Sequence, residues 1–249
     1  MRRGLTALVI TLGLILTSWP MATGAARADV VRVAADRWIP FIFESQHGLD
    51  GIGIEIYQEI SALTGDEIRF DYLPNERLRI GQDKKSIDVV MLDSPAWNDP
   101  ADDRGYVYTT PLFELAEYVL ANPGSVPLLN HPRDFAGLSV GAMAGYYYPA
   151  FELYFEGGLV RRLDAHSEES LIKLLLFDRV DVIFMYEIVF AYHARRLGVP
   201  RGALSSVYRL STVPVSIKIR SDLTGLHERF EAAIATLKRE GRIQEIIEA

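Results

Sequence analysis

The chain has 249 residues, with 26 Lys and Arg against 33 Asp and Glu, so its formal charge is −7. This length suits one or two domains, and 49% hydrophobic with 24% charged residues is typical of a globular protein rather than a disordered or coiled-coil one. The acidic balance disfavours a nucleic-acid partner, because a phosphate backbone attracts clusters of Lys and Arg. The absence of cysteine excludes disulfides, thiolate catalysis and Cys-based metal sites.

The N-terminus has the pattern of a secretory signal peptide over residues 1–28. Arg2 and Arg3 precede an apolar stretch from Leu5 to Leu16, and an Ala-Arg-Ala cleavage site ends at Ala28. An apolar helix of this length spans roughly 18 Å, which is shorter than the ~30 Å hydrocarbon core of a bilayer. An uncleaved N-terminal anchor is the alternative. We expect a soluble protein that is exported to the periplasm.

Residues 29–92 alternate between strand and helix patterns. Period-two and continuous apolar runs predict strands, and apolar spacing of three and four residues predicts helices. The predicted order is strand 30–35, helix 54–64, strand 68–73, helix 75–85 and strand 87–92. This is an α/β signature. The loop that follows, 93–105, begins at the end of a buried strand, where open α/β sheets bind ligands.

A second α/β set follows the loop. Its predicted strands are 118–122, 138–143, 160–164 and 180–186, and its predicted helices are 149–155, a helix capped by Ser167, and 187–197. In the C-terminal part of the chain, the apolar pattern predicts strands at 207–210 and 213–219, a helix at 222–240 and a last short helix after Gly241. The two sets predict two lobes around a cleft. Lobe 1 comprises residues 29–113 and 214–249, and lobe 2, inserted into it, comprises 114–213.

Several short motifs occur in a recognisable order. They are Trp-Ile-Pro-Phe at 38–41, Leu-Asp-Gly-Ile-Gly-Ile-Glu at 49–55, Ser-Ile-Asp-Val-Val at 86–90, Tyr-Thr-Thr-Pro-Leu-Phe at 108–113, Asp-Phe-Ala-Gly-Leu-Ser-Val-Gly at 134–141, Arg-Val-Asp-Val-Ile-Phe at 179–184 and Leu-Lys-Arg-Glu-Gly-Arg-Ile at 237–243. In this order the chain resembles the bacterial extracellular solute-binding proteins of family 3, which are type II periplasmic binding proteins of polar amino acid ABC transporters.

The resemblance implies a fold and a function. The fold is two α/β sandwiches joined by a two-strand hinge. The function is the capture of a small polar solute, an amino acid or a related compound, by hinge closure, and its delivery to an ABC permease in the inner membrane. We expect a monomer without a cofactor, a metal or an enzymatic activity.

In the family, an Arg and backbone N–H groups receive the ligand carboxylate and an Asp receives its ammonium group. Here Arg104 is the nearest Arg in the loop, Gly145-Tyr146-Tyr147 matches the N–H-bearing turn, and Tyr186 occupies the Asp position with Glu187 beside it. A standard α-amino acid is therefore in doubt. The predicted ligand-binding residues are Trp38, Arg77, Asp93, Ser94, Trp97, Arg104, Tyr146, Tyr147, Tyr186 and Glu187.

Each prediction has an alternative. Trp38 aligns with the family's stacking aromatic residue but also fits an ordinary core position. Arg77 starts a helix, where a solvated charge is equally expected. The consecutive tyrosines can line the cleft or pack at its rim, and since at most two of three neighbours face one way, Tyr146 and Tyr147 are favoured over Tyr148.

Other functions remain open to different degrees. The five histidines show no metal-binding spacing. A ligand-sensing or orphan binding protein of the same fold cannot be separated from a transport receptor by sequence. A lyase of the cyclohexadienyl dehydratase kind would need a general acid or base in the cleft, for which Glu187 is the candidate.

Overall fold

The computed structural model describes residues 29–84, 86–98 and 104–249. The predicted signal peptide, residues 1–28, lies outside these residues and stays a prediction. Among the described helices, none combines the length and the apolar character that crossing a bilayer requires.

The described strands form one continuous, mixed sheet and a small hairpin. The strands are β1 Val30–Ala35, β2 Phe43–Ser45, β3 Gly48–Asp50, β4 Glu67–Tyr72, β5 Val89–Asp93, β6 Tyr106–Tyr108, β7 Phe113–Ala121, β8 Ser139–Met143, β9 Arg161–Ala165, β10 Val182–Tyr186 and β11 Ser205–Arg220. The main sheet has the order β4-β1-β5-β11-β7-β10-β8-β9, β6 pairs with β11, and β2 pairs with β3.

Seven α-helices cover the faces of this sheet in the described part of the chain. They are α1 Ile52–Thr64, α2 Asn75–Asp83, α3 Glu152–Glu156, α4 Glu168–Leu176, α5 Glu187–Leu197, α6 Thr224–Arg239 and α7 Arg242–Glu248. The predicted boundaries at Gly65, Ser167 and Gly198 are confirmed. Gly65 and Gly198 end their helices in the left-handed conformation, and the Ser167 hydroxyl accepts a hydrogen bond from the Ser170 N–H at the start of α4.

Two regions of hydrophobic core lie on the two halves of the sheet. In the first half, helices α1, α6 and α7 pack against β1 and β5 through residues such as Ile56, Ile60 and Phe230, which are fully buried. In the second half, α4 and α5 cover one face of β10, and an aromatic group around Phe135, Phe151 and Phe184 covers the other. The predicted α/β, two-lobed fold class is confirmed.

Strands β7 and β11 connect the two halves. β11 pairs with β5 in the first half and with β7 along most of its remaining length. The predicted strands at 207–210 and 213–219 are one continuous strand, because Leu210–Val213 keeps its pairing with β7 through Ser211 and Thr212. The predicted strand at 118–122 likewise starts earlier, at Phe113. The predicted division into lobes at residues 113 and 213 stays a prediction.

Candidate functional site

Three aromatic side chains from both halves of the molecule meet where the halves face each other. Trp38 follows β1, Trp97 follows β5, and Tyr186 ends β10. The Trp38 ring centroid lies 5.6 Å from that of Trp97 and 6.2 Å from that of Tyr186, and the last two lie 6.3 Å apart, all with edge-to-face geometry. We call these three residues the aromatic triad.

Trp38 is held in place by a tight loop that docks on the start of α1. The carbonyl oxygen of Trp38 accepts hydrogen bonds from the N–H groups of Phe41 and Ile42 at 2.7 and 2.9 Å. At Gly51, φ is 122°, and an added Cβ would lie 2.6 Å from the carbonyl oxygens of Pro40 and Phe41. Only glycine fits there, so the close approach that fixes the Trp38 loop depends on Gly51.

Buried polar groups hold the start of the loop that carries Trp97. The Asp93 carboxylate accepts hydrogen bonds from the Ser94 N–H at 2.7 Å and from the Asn98 side-chain amide at 2.8 Å. It also lies 3.3 Å from Nζ of Lys218, whose side chain is fully buried. Burial nevertheless raises the pKa of Asp93, against the opposing effect of Lys218. Asp93 and Ser94, both predicted to contact ligand, are thus engaged in positioning the loop.

Two residues of the aromatic triad, Trp38 and Tyr186, line a small cavity of about 20 Å³. That volume accommodates about one water molecule. Its wall combines aromatic, aliphatic and acidic side chains, namely Trp38, Glu117, Met143, Tyr146, Tyr148, Glu168, Leu171, Phe184, Met185, Tyr186 and Val189.

Glu117 is the buried acid of this cavity. It lies on β7 opposite Tyr186 of β10 and Ser211 of β11, and it is only 6% exposed. The Ser211 hydroxyl donates a hydrogen bond to its carboxylate at 3.2 Å. Burial raises the pKa of Glu117 to about 7, because the desolvation of the charged form outweighs this hydrogen bond. A carboxyl group at this position changes its charge near neutral pH.

The carboxylates also raise the pKa of the tyrosines that line the cavity. Burial, together with the nearby carboxylates of Glu168, Glu117 and Asp36, raises the pKa of Tyr146 to about 12. Burial and Glu117 also raise the pKa of Tyr186 and of Tyr148. Asp36 belongs to the first half of the molecule, so acidic groups of both halves act on the same tyrosine hydroxyl.

A buried histidine lies next to Glu168, one of the acidic residues that line the cavity. His193 on α5 is 3% exposed, and both of its ring nitrogens lack a hydrogen-bond partner. Its Nε2 lies 4.0 Å from the Glu168 carboxylate, which is beyond hydrogen-bonding distance. Burial lowers the pKa of His193, so the ring is neutral near pH 7.

The structure brings together only part of the predicted set. Trp38, Tyr146 and Tyr186 line the cavity, and Trp97 contacts two of the triad rings. Tyr147 is 73% exposed, and Tyr148, buried at 6%, takes the inward place that the prediction gave to Tyr147. Tyr146, which is 37% exposed, and Tyr148 line the cavity and Tyr147 between them does not, because neighbouring side chains of this non-helical segment point in different directions.

Three other predicted residues lie outside the cavity. Arg77 is exposed on α2, and Arg104 is exposed on a turn before β6. Glu187 is exposed and lines a separate groove of about 670 Å³ between β7, α5 and α7. This placement gives no support to Glu187 as a general acid beside Tyr186.

Sequence reasoning missed Glu117, Tyr148 and Glu168. Glu117 carries a recognisable signal, because it interrupts the inward-facing series Leu115, Val119 and Ala121 of an otherwise apolar strand face. Glu168 is indistinguishable in sequence from an ordinary first-turn helix acid. Within the described residues, no group of His, Asp or Glu side chains is arranged to hold a metal ion.

A family model for bacterial extracellular solute-binding proteins, family 3, matches residues 31–249. The chain belongs to this family. The matched residues include both halves of the molecule. A comparison with curated protein sequences gives no match.

Several solved structures share the fold at low sequence identity. An ancestral arginine-binding protein bound to arginine is similar with a TM-score of 0.69 and 19% identity, over 88% of this chain and 96% of that one. A histidine kinase sensor domain with similarity to periplasmic binding proteins has a TM-score of 0.70 and 20% identity, over 88% and 95%. An ancestral amino acid-binding protein described as a precursor of cyclohexadienyl dehydratase has a TM-score of 0.66 and 16% identity, over 88% and 93%.

Proposed function

We propose that this family 3 protein is a periplasmic receptor that captures a small polar solute between its two halves and delivers it to the permease of an ABC importer. One observation carries the proposal: Trp38 and Trp97 of the first half contact Tyr186 of the second half, and Trp38 and Tyr186 line a cavity that also contains Glu117 and Glu168. Side chains from two halves that converge on one cavity suit a site that forms on closure.

The connection between the halves supports closure as the mechanism. In the proposed division, lobe 1 comprises residues 29–113 and 214–249, and lobe 2 comprises 114–213. Only β7 and β11 cross this division, and they are paired to each other there. Bending of two paired strands opens the cleft without disturbing either core. The solute then shifts the population toward the closed form by contacting both lobes at once.

The proposal also specifies where the mature chain acts and what it does to the solute. Removal of residues 1–28 on export leaves a chain that acts in the periplasm as a monomer. The protein binds its solute and releases it unchanged.

The experiment uses the chain from residue 29 to 249 and a polar metabolite extract. After equilibrium dialysis, mass spectrometry identifies retained solutes, and small-angle scattering measures the radius of gyration with and without the retained solute. We expect one chemical class to be retained and a smaller radius on binding. Loss of uptake of that solute in a strain lacking the gene supports import. Retention of no solute by folded protein contradicts a binding function.

A sensing role is the second candidate, favoured by the likeness to the histidine kinase sensor domain. In that case the deletion strain takes up the solute normally but loses its transcriptional response to it. Conversion of the retained solute into a product during dialysis would instead indicate an enzyme.

A further inference from the structure

We propose that the solute is a small organic cation without a carboxylate group, such as a protonated amine, a guanidinium compound or a quaternary ammonium compound, held by the faces of the aromatic triad and by the Glu117 carboxylate. This inference rests on the proposed function and specifies the chemical class of its solute.

The aromatic triad provides a surface for a cation. A cation within ~6 Å of a ring centroid is attracted by the negative face of the ring, most strongly when the ring is Trp and water is excluded. Because the three centroids lie 5.6 to 6.3 Å apart, a cation seated among them after a small separation of the lobes is within this range of all three rings. Trp38 and Trp97 would contact it from lobe 1 and Tyr186 from lobe 2.

Glu117 provides the compensating charge. A cation that leaves water for a closed cleft needs a paired negative group, since an unpaired buried charge is costly. Glu117 lies opposite Tyr186 in the sheet, is 6% exposed and lines the same cavity as Trp38 and Tyr186. Its described hydrogen bond comes from the neutral hydroxyl of Ser211, so no described cation neutralises it.

The same surroundings disfavour a carboxylate on the solute. Glu117 and Glu168 line the cavity, and Asp36 acts on Tyr146 from the opposite lobe. None of the residues described as lining the cavity is Lys or Arg. A zwitterionic amino acid would place its carboxylate among three acidic groups, which repel it. A cation alone is attracted by all three.

Cation binding at this site depends on pH through Glu117. The groups that interact with it are the hydroxyls of Tyr146, Tyr148, Tyr186 and Ser211. Further charged or titratable groups lie around these: Glu168 lines the same cavity, Asp36 acts on Tyr146, Arg162 lies over the ring of Tyr148, and His193 lies 4.0 Å from Glu168. The cation favours the charged carboxylate, and the pKa of Glu117 is about 7 without it. Affinity therefore rises with pH up to about 7 and is about tenfold weaker at pH 6 than at pH 8.

The test measures dissociation constants by calorimetry for matched pairs of compounds that differ by a carboxylate. Agmatine is compared with arginine, and choline with betaine. Choline is also compared with its uncharged isostere, in which a tert-butyl group replaces the trimethylammonium group. We expect at least one carboxylate-free cation to bind at least tenfold more tightly than its carboxylated and uncharged counterparts, with the pH dependence given above.

Two variants test the role of Glu117 at constant shape. Glu117→Gln should weaken binding of the cation at least tenfold and remove the pH dependence. Glu114→Gln, on the same strand but exposed at the other groove, should change neither. If Glu117→Gln does not fold, the pH dependence of the unmodified chain decides alone.

The outcomes separate the two proposals. Tighter binding of arginine or betaine, or a pH-independent affinity for the cations, overturns the cation assignment and leaves a solute receptor. The assignment also fails if no cation binds while the metabolite extract yields another solute. No retained solute from the extract and no binding by any of these compounds overturns the proposed function as well.

Discussion

The Asp93 carboxylate lies 3.3 Å from Nζ of Lys218, and Lys218 is fully buried. Lys218 belongs to β11, one of the two crossing strands, while Asp93 ends β5, directly before the loop that carries Trp97. The ammonium group also donates a hydrogen bond to the Gln82 side chain at 2.9 Å and lies over the rings of Tyr106 and Tyr108. A buried ion pair thus links the crossing strand to one wall of the cleft.

Replacing Lys218 by Met should destabilise the protein by about 3–5 kcal/mol, because it leaves the Asp93 carboxylate buried without its positive partner. Urea unfolding measures this loss. Adding Asp93→Asn to Lys218→Met should restore part of it, since the amide carries no charge. The matched control is Lys238→Met, which removes a surface lysine that donates a hydrogen bond to the Pro111 carbonyl oxygen. It should lower the free energy of unfolding by less than about 1 kcal/mol. Equal losses in both single variants would contradict the ion-pair account.

Replacing Trp97 by Ala should open the solute-free protein and weaken solute binding. The ring is 38% exposed, so its removal costs little core burial but ends the contacts with Trp38 and Tyr186. Small-angle scattering should show a larger radius of gyration, and the affinity for the retained solute should fall at least tenfold. Phe177→Ala, which removes a ring that is 70% exposed, controls for loss of aromatic area. An unchanged radius and affinity would show that the triad does not close the cleft.

Glu117 should make the protein less stable as pH rises. The carboxyl has a pKa of about 7 when folded against 4.5 as its ordinary value, so the folded state holds the proton more tightly. Its contribution is therefore complete below pH 4.5, declines as pH rises through 7, and is roughly 3 kcal/mol smaller at alkaline pH. Glu117→Gln should match the parent protein in acid and exceed its stability by about that amount near pH 8. Urea unfolding at both pH values tests this, and a pH-independent difference between the two proteins would refute it.

Gly51→Ala should destabilise the protein and displace the Trp38 loop. The added Cβ would lie 2.6 Å from two carbonyl oxygens, and the backbone is in the left-handed region at φ 122°. Gly48→Ala is a close control, because φ there is 110° and nothing lies within 4 Å of the added Cβ. We expect about 1–2 kcal/mol of loss at Gly48 from strain alone, and a larger loss at Gly51 with a weaker solute affinity. Calorimetric binding and thermal unfolding compare the two variants, and equal effects would rule out the steric contact as the cause.

Much of the fold follows from local patterns. Strand Val30–Ala35 is predicted residue for residue, and the ends of α1 and α5 follow from Gly65 and Gly198. The short strands Phe43–Ser45, Gly48–Asp50 and Tyr106–Tyr108 were not predicted, because three residues are too few to show a period-two pattern.

The site is less predictable than the fold. The resemblance predicts Trp38 and Tyr186, which line the cavity, but the sequence does not reveal which of three consecutive tyrosines point inward. Glu117 becomes a candidate only when β7 is paired with β10 and β11, which brings it opposite Tyr186 across more than sixty residues of chain. Long-range pairing of this kind has no local signal in a single sequence.

The pairing between β7 and β11 has a consequence for the proposed hinge motion. From Ser211 to Val215 these strands pair with Glu117 to Phe113 without a register shift. Solute entry can then proceed by flexing an intact two-stranded ribbon, with no local unfolding at the junction. Amide protons in that ribbon should exchange with solvent as slowly as those of the cores, whether or not a solute is bound.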